Sequence, residues 1–190
     1  FAINSHVKGF VNNLTIQDFE LTGMSNTSIA IAGSIKGLPD INKTFFNLQL
    51  KQFASGKKDI EAIVGKTNMP SSFRLPNALK VNGIFKGSIQ RFTTNLQAIT
   101  SSGNATINAT VKNGGKAYDG VIHLKEANLG YLLKQDTLLG KFSLDAVVKG
   151  AGTDYKTMHT SLTANLQSGT FKGFTYHDLS LEALLNNGQA

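Results

Sequence analysis

Cysteine is absent from the 190 residues. That excludes a disulfide, a thiolate nucleophile and any cysteine-based metal site. It does not assign a compartment, because a large β core holds together without disulfides. Charged residues make up only 16%, well below the usual quarter or so, which argues against a highly charged helical or disordered chain. The 3 prolines are too few for a proline-rich linker or a collagen-like repeat. No apolar run approaches the ~18 residues a membrane-crossing helix needs. Phe1 to Lys8 lacks the charged start and apolar centre of a signal peptide, and Leu184 to Ala190 reads as a polar tail. Both ends read as cuts from a longer protein.

What is present favours strands. Hydrophobic residues reach 41%, and 19 glycines with abundant Asn, Thr and Ser suit a chain with many turns. The formal charge of +7 attracts phosphate, whether of nucleic acid or of anionic lipid heads. The lysines are spread singly, as at Lys36, Lys51, Lys80, Lys86, Lys112 and Lys149. No block forms a nucleic-acid-binding arm, so they read as the solvated face of strands and no nucleic-acid partner is expected.

The dominant local signal has period two. Ala105, Ile107, Ala109 and Val111 alternate with Thr106, Asn108, Thr110 and Lys112, and Ile29, Ile31, Gly33 and Ile35 with Ala30, Ala32, Ser34 and Lys36. Successive side chains of a strand point to opposite faces, so each such run is dry on one side and wet on the other. The pattern recurs at Phe46 to Lys51, Leu79 to Lys86, Phe142 to Lys149, Leu162 to Gln167 and Leu179 to Ala183. Ile84 and Val147 are exceptions on the wet side. Roughly ten strands at spacings of about a dozen residues give an antiparallel sheet with one solvated face.

Two segments break the rhythm. Lys58 to Val64 spaces its apolar residues helically, with Asp59 and Glu61 early where they suit the helix dipole, and Leu129 to Leu133 reads as a second single turn. Between them Met69-Pro70 and Leu75-Pro76 bracket an irregular passage. A repeat is also visible. Ile31-Ala-Gly-Ser-Ile-Lys-Gly37 aligns with Val81-Asn-Gly-Ile-Phe-Lys-Gly87 about 50 residues on, and with Leu144-Asp-Ala-Val-Val-Lys-Gly150 about 63 beyond that. Val7-Lys-Gly9 is a weaker copy. Residues 1–190 therefore read as one segment of a repetitive protein, with units at roughly 29–78, 79–137 and 138–190.

Catalytic chemistry finds little footing. His6, His123, His159 and His177 are scattered, with no HExxH and no close pair, so no metal site is expected. Asp18 and Glu20 share a strand face but read as exposed positions, and Asp136 and Asp154 as turn residues. Gly83-Ile-Phe-Lys-Gly87 lacks the ending of a phosphate loop and a following helix. Phe10, Phe19, Phe92, Phe171 and Phe174 beside lysines resemble a base-stacking platform, though Phe is ordinary lining of a β core. Five N-x-S/T triplets, at Asn13, Asn26, Asn42, Asn104 and Asn108, are expected by chance in so Asn- and Thr-rich a chain. No enzyme activity and no cofactor are expected.

Several stretches carry a resemblance. They are Leu75-Pro-Asn-Ala-Leu-Lys-Val-Asn-Gly-Ile-Phe-Lys-Gly87, Leu96-Gln-Ala-Ile-Thr-Ser-Ser-Gly-Asn-Ala105, Ala127-Asn-Leu-Gly-Tyr-Leu-Leu133, Leu139-Gly-Lys-Phe-Ser-Leu144, Val148-Lys-Gly-Ala-Gly152 and the run from Leu166 to Leu181. Together they resemble the TamB family, the inner-membrane subunit of the translocation and assembly module, within the wider AsmA-like group. The Tyr176-His-Asp-Leu179 ending points to its Bacteroidota form. These are glycine-and-alternation patterns covering most of the chain from about residue 29.

The resemblance implies an elongated, curled antiparallel sheet (a β-taco, or open β-groove) with one or two short helices. It implies a periplasmic location, in a Gram-negative protein anchored in the inner membrane. The implied role is conduction of phospholipid between the inner and outer membranes, with assistance to outer-membrane protein assembly as a related one. The implied partners are phospholipid acyl chains and, through a C-terminal region this chain lacks, an outer-membrane protein of the Omp85 type. On this reading Ile31, Ile35, Phe46, Leu48, Val81, Phe85, Leu96, Ile107, Phe142, Leu144, Val148, Leu162 and Leu166 line the groove. Gly33, Gly37, Gly83, Ala105, Ala109 and Ala146 would leave room on that face and permit curvature. Alternation alone, without the resemblance, favours a two-sheet sandwich acting as a passive adhesin or scaffold.

Overall fold

Alternation of β-branched and aromatic residues with Thr, Asn and Lys, broken by short turns, leaves consecutive hairpins as the local solution. The computed structural model of the protein describes residues 1–65, 71–152 and 157–186. It contains strands β1 (Ala2–Phe10), β2 (Asn13–Gly23), β3 (Thr27–Lys36), β4 (Phe45–Gly56), β5 (Ala78–Ser88) and β6 (Arg91–Thr100). These are followed by β7 (Gly103–Lys112), β8 (Ala117–Asn128), β9 (Leu139–Ala151), β10 (His159–Phe171) and β11 (Phe174–Asn186). Helix α1 (Lys57–Val64) follows β4, and α2 (Leu129–Leu133) follows β8.

All eleven strands form one antiparallel sheet in sequence order, β1 to β11. Each pairs with its neighbours in the chain, so β1 and β11 each keep a free edge. The all-β, antiparallel expectation and both short helices are present. The sheet is open and uncurled, which differs from the lengthwise curl of a β-taco. The pairing gives a physical reason. Bulges bend a sheet, and here they fall at β2, β4, β8 and the β9–β10 pair. The ladders joining β5, β6, β7 and β8 run without a register shift.

The first two strands and the tail differ from the sequence reading. Phe1 to Lys8, which carries the start of the weaker repeat copy Val7-Lys-Gly9, lies largely in β1, and Leu184 to Asn186 continues β11. Met69-Pro70 lies outside the described residues. The repeat copies fall on β3, β5 and β9, odd-numbered strands that all run toward the same end of the sheet. The structural repeat is thus a pair of strands. Unit 29–78 holds most of β3, with β4 and α1, 79–137 holds β5 to β8 and α2, and 138–190 holds β9 to β11.

Glycine matters most at Gly33 and Gly83, in the middle of β3 and β5, with φ of +141° and +154°. A Cβ there would lie 2.1 Å from the Asn47 carbonyl oxygen and 2.0 Å from that of Asn95. These glycines admit the adjacent strand's backbone rather than leaving open space on the dry face.

Candidate functional site

Pairing register fixes which side chains share a face. One cross-strand row runs Val7, Ile16, Gly33, Leu48, Phe85, Thr94, Ala109, Gly120, Val148, Leu162 and Ala183, unbroken over every strand. Three parallel rows cross the sheet on the same face, starting at Ile3, Ser5 and Gly9 and ending at Leu179, Leu181 and Leu185. None of these positions carries a charge. Ser5, Thr94, Tyr118 and Thr160 are the only polar side chains among them. Tyr118 and Thr160 satisfy each other through a 2.6 Å hydroxyl–hydroxyl hydrogen bond.

All thirteen expected lining residues lie on this face. Ile35 and Phe46 are in the row nearest one end. Leu48, Phe85, Val148 and Leu162 are in the next, Ile31, Leu96 and Ile107 in the third, and Val81, Leu144 and Leu166 in the fourth. Phe142 continues the face opposite Ala127. Phe46, Phe85 and Phe92 gather into an aromatic patch, with ring centroids 6.1 Å and 4.8 Å apart.

The expected lining omits Leu14, Ile16, Phe19, Leu21, Leu50, Phe53 and Leu124, which share the face. The missed signal is an apolar step of three within an alternating run. Ile16 to Phe19, Leu50 to Phe53 and Leu124 to Ala127 each span a bulge that returns the chain to the dry face.

Among the described residues no second layer covers the face. Among the described residues only Ile60, Ala127, Ala146 and Ala164 are buried apolar side chains. The solvent-accessible surface is 11895 Å², against about 8,800 Å² for a closed monomer of this mass. The excess, about 3,000 Å², is what a single layer with an exposed apolar face should show. Exposure is greatest toward the sheet edges, with Ile3 at 64% and Leu181 at 56%.

One end of the sheet is tied down. The Asp59 carboxylate of α1 accepts hydrogen bonds from the Asn26 backbone N–H at 2.8 Å and the Thr27 hydroxyl at 2.9 Å. The Asn26 bond, helped by Thr27, holds its pKa below the usual aspartate value against the opposing effect of burial. Farther along, Arg74 stacks 4.6 Å from the Tyr131 ring centroid and pairs with Asp136 at 3.1 Å. Tyr131 donates to the Leu75 carbonyl, linking the β4–β5 connection to α2.

The opposite face is wet. His6 bonds Asp18, which raises the imidazole pKa. His123 and Gln167 share Asp145, and Asn95 bonds Asn108. Among the described residues no three His, Cys, Asp or Glu side chains gather to hold a metal ion, and no helix is long and apolar enough to cross a membrane. The fold and face define an all-β protein whose apolar side is a continuous single-layer surface. Comparison with family models, curated proteins and solved structures finds no match.

Proposed function

We propose that the dry face is a phospholipid-conducting surface. The chain would act as a groove segment of a TamB-like, AsmA-related periplasmic protein that moves lipid between inner and outer membranes. The observation that carries this reading is the combination of four uncharged rows, unbroken over eleven strands, with no covering layer among the described residues. Ten strand spacings at roughly 4.8 Å give an apolar strip about 48 Å long. One bilayer leaflet is about 15 Å of hydrocarbon, so the strip holds some three tail lengths end to end. Each buried methylene contributes about 0.8 kcal/mol, and an uncharged strip offers a tail no place where its passage stalls on a buried charge.

The free edges of β1 and β11 favour the companion role in outer-membrane protein assembly. Unpaired backbone donors and acceptors are what an incoming strand needs.

Photocrosslinking tests the lipid reading. A benzophenone amino acid at Leu48 or Ile107, on the dry face, should give lipid adducts in the native envelope, and one at Asn47 or Thr106 should not. Adducts to another protein from the dry positions would instead support a scaffold whose partner supplies the second layer.

A further inference from the structure

The charge is concentrated at one end of the sheet. On the wet face, Lys8, Lys86 and Lys149 lie in one cross-strand row, and Lys36, Arg91 and Lys112 in the row nearest the rim. Lys43 and Lys116 sit on turns at the same rim, where among the described residues only Asp40 and Asp119 oppose them. The rest of the described chain holds nine basic and nine acidic side chains and is neutral, so nearly all of the +7 belongs to this lip. The described acidic groups elsewhere enter most of the ion pairs, as in Arg74–Asp136 and Lys141–Glu126. Among the described residues of the lip only Lys43 has an ion pair, with Asp40 at 3.6 Å.

We propose that this lip holds the phosphate head groups of anionic phospholipids whose tails lie on the dry face. The proposal rests on the lipid-conducting reading and adds the class of head group carried. Successive odd strands lie about 10 Å apart, so each pair of strands presents a fresh cation along the strip. The outermost dry row, with Ile35, Phe46, Phe92 and Val111, is one residue away from Lys36, Arg91 and Lys112. Lysine and arginine stems can lie over the rim and bring the charge to a head beside that row. A zwitterionic head carries its own cation and gains less from an unpaired cationic lip. Single-stranded nucleic acid fits less well, since base stacking needs aromatic rings. Among the described residues those on the wet side of this rim are limited to Phe10 and Phe45, whereas the cations continue to β9.

Calorimetry with short-chain phosphatidylglycerol and phosphatidylcholine of identical tails, below their micelle-forming concentrations, tests this. The wild-type chain should prefer phosphatidylglycerol about tenfold at low salt, with the preference shrinking as salt screens the lip. Lys36→Gln/Arg91→Gln/Lys112→Gln should remove most of that preference and leave phosphatidylcholine binding unchanged. Lys80→Gln/Lys125→Gln/Lys172→Gln, which changes the net charge equally at other positions, should leave the preference intact. Circular dichroism checks that both variants fold. Equal binding of both lipids overturns the lip proposal while the groove stands, and binding of neither removes the groove reading as well. Equal loss in both triple variants would mean diffuse attraction and overturns the lip. So would competition by inorganic phosphate that displaces the lipid, or tighter binding of a single-stranded oligonucleotide.

Discussion

Single residues here act mainly through backbone approach and charge, because few side chains are enclosed. Replacing Gly33 or Gly83 by Ala would force a Cβ into a neighbouring carbonyl at a φ that side chains rarely adopt. A loss of about 1–3 kcal/mol or more is expected, measured as a lower denaturant midpoint. Leu144 and Val148 behave differently. Each is half-buried on the dry face with no second layer among the described residues, so Leu144→Asp or Val148→Asp should cost under about 2 kcal/mol in denaturant unfolding while abolishing lipid retention. Unfolding on either change would mean that the face is a packed core. Two ionisable groups give opposite pH signatures. The Asp59 pKa is lowered by folding, so its contribution is complete above the unfolded value of about 3.9 and is lost as pH falls through the folded one. Unfolding midpoints of wild type and Asp59→Asn should therefore differ at neutral pH and converge in acid. The His6 pKa is raised, so its pairing contributes fully below the unfolded value of about 6.5 and fades as pH rises through the folded one. An NMR titration should place His6 above 6.5, and Asp18→Asn should bring it back.

At the scale of elements, most of the sheet is legible in the sequence because period two is a direct imprint of the pleat. Ala105 to Lys112 and Phe46 to Lys51 name their faces without ambiguity, and the helical spacing at Ile60, Ile63 and Val64 marks α1. Bulges are harder to read. They insert a residue and shift the phase, so Leu14 to Leu21 loses its alternation at Gln17 and Asp18 although all four of its apolar members share one face. β1 was obscured for another reason. Asn4, Ser5 and His6 dilute its pattern, and its edge position removes the demand for a continuous dry side. The polarity of the lysines was also out of reach, since Lys8, Lys36, Lys86, Lys112 and Lys149 look evenly spread along the chain. Only strand direction shows that the odd strands deliver them to the same end. Bulges also make a prediction. Deleting Lys51 alone should remove the bulge and keep Phe53 on the dry face opposite Ile29 and Val81, whereas deleting Lys51 and Gln52 together should turn Phe53 toward the wet face, a change that amide exchange in β3 and β5 would register as lost protection.

Taken whole, the described residues form a single-layer sheet that leaves its apolar side open, and pairing between consecutive strands holds it together. Its excess surface, its uncharged dry rows and its one-sided cationic lip are consequences of a two-strand unit that repeats the same dry, wet and rim positions. The measurement closest to this account is mass spectrometry of lipids extracted from the chain after purification without detergent. The account predicts co-purified phospholipid in amounts comparable to the protein, lost in Leu144→Asp. A lipid-free, fully soluble protein whose dry face is covered by a second copy or by another protein layer would contradict it.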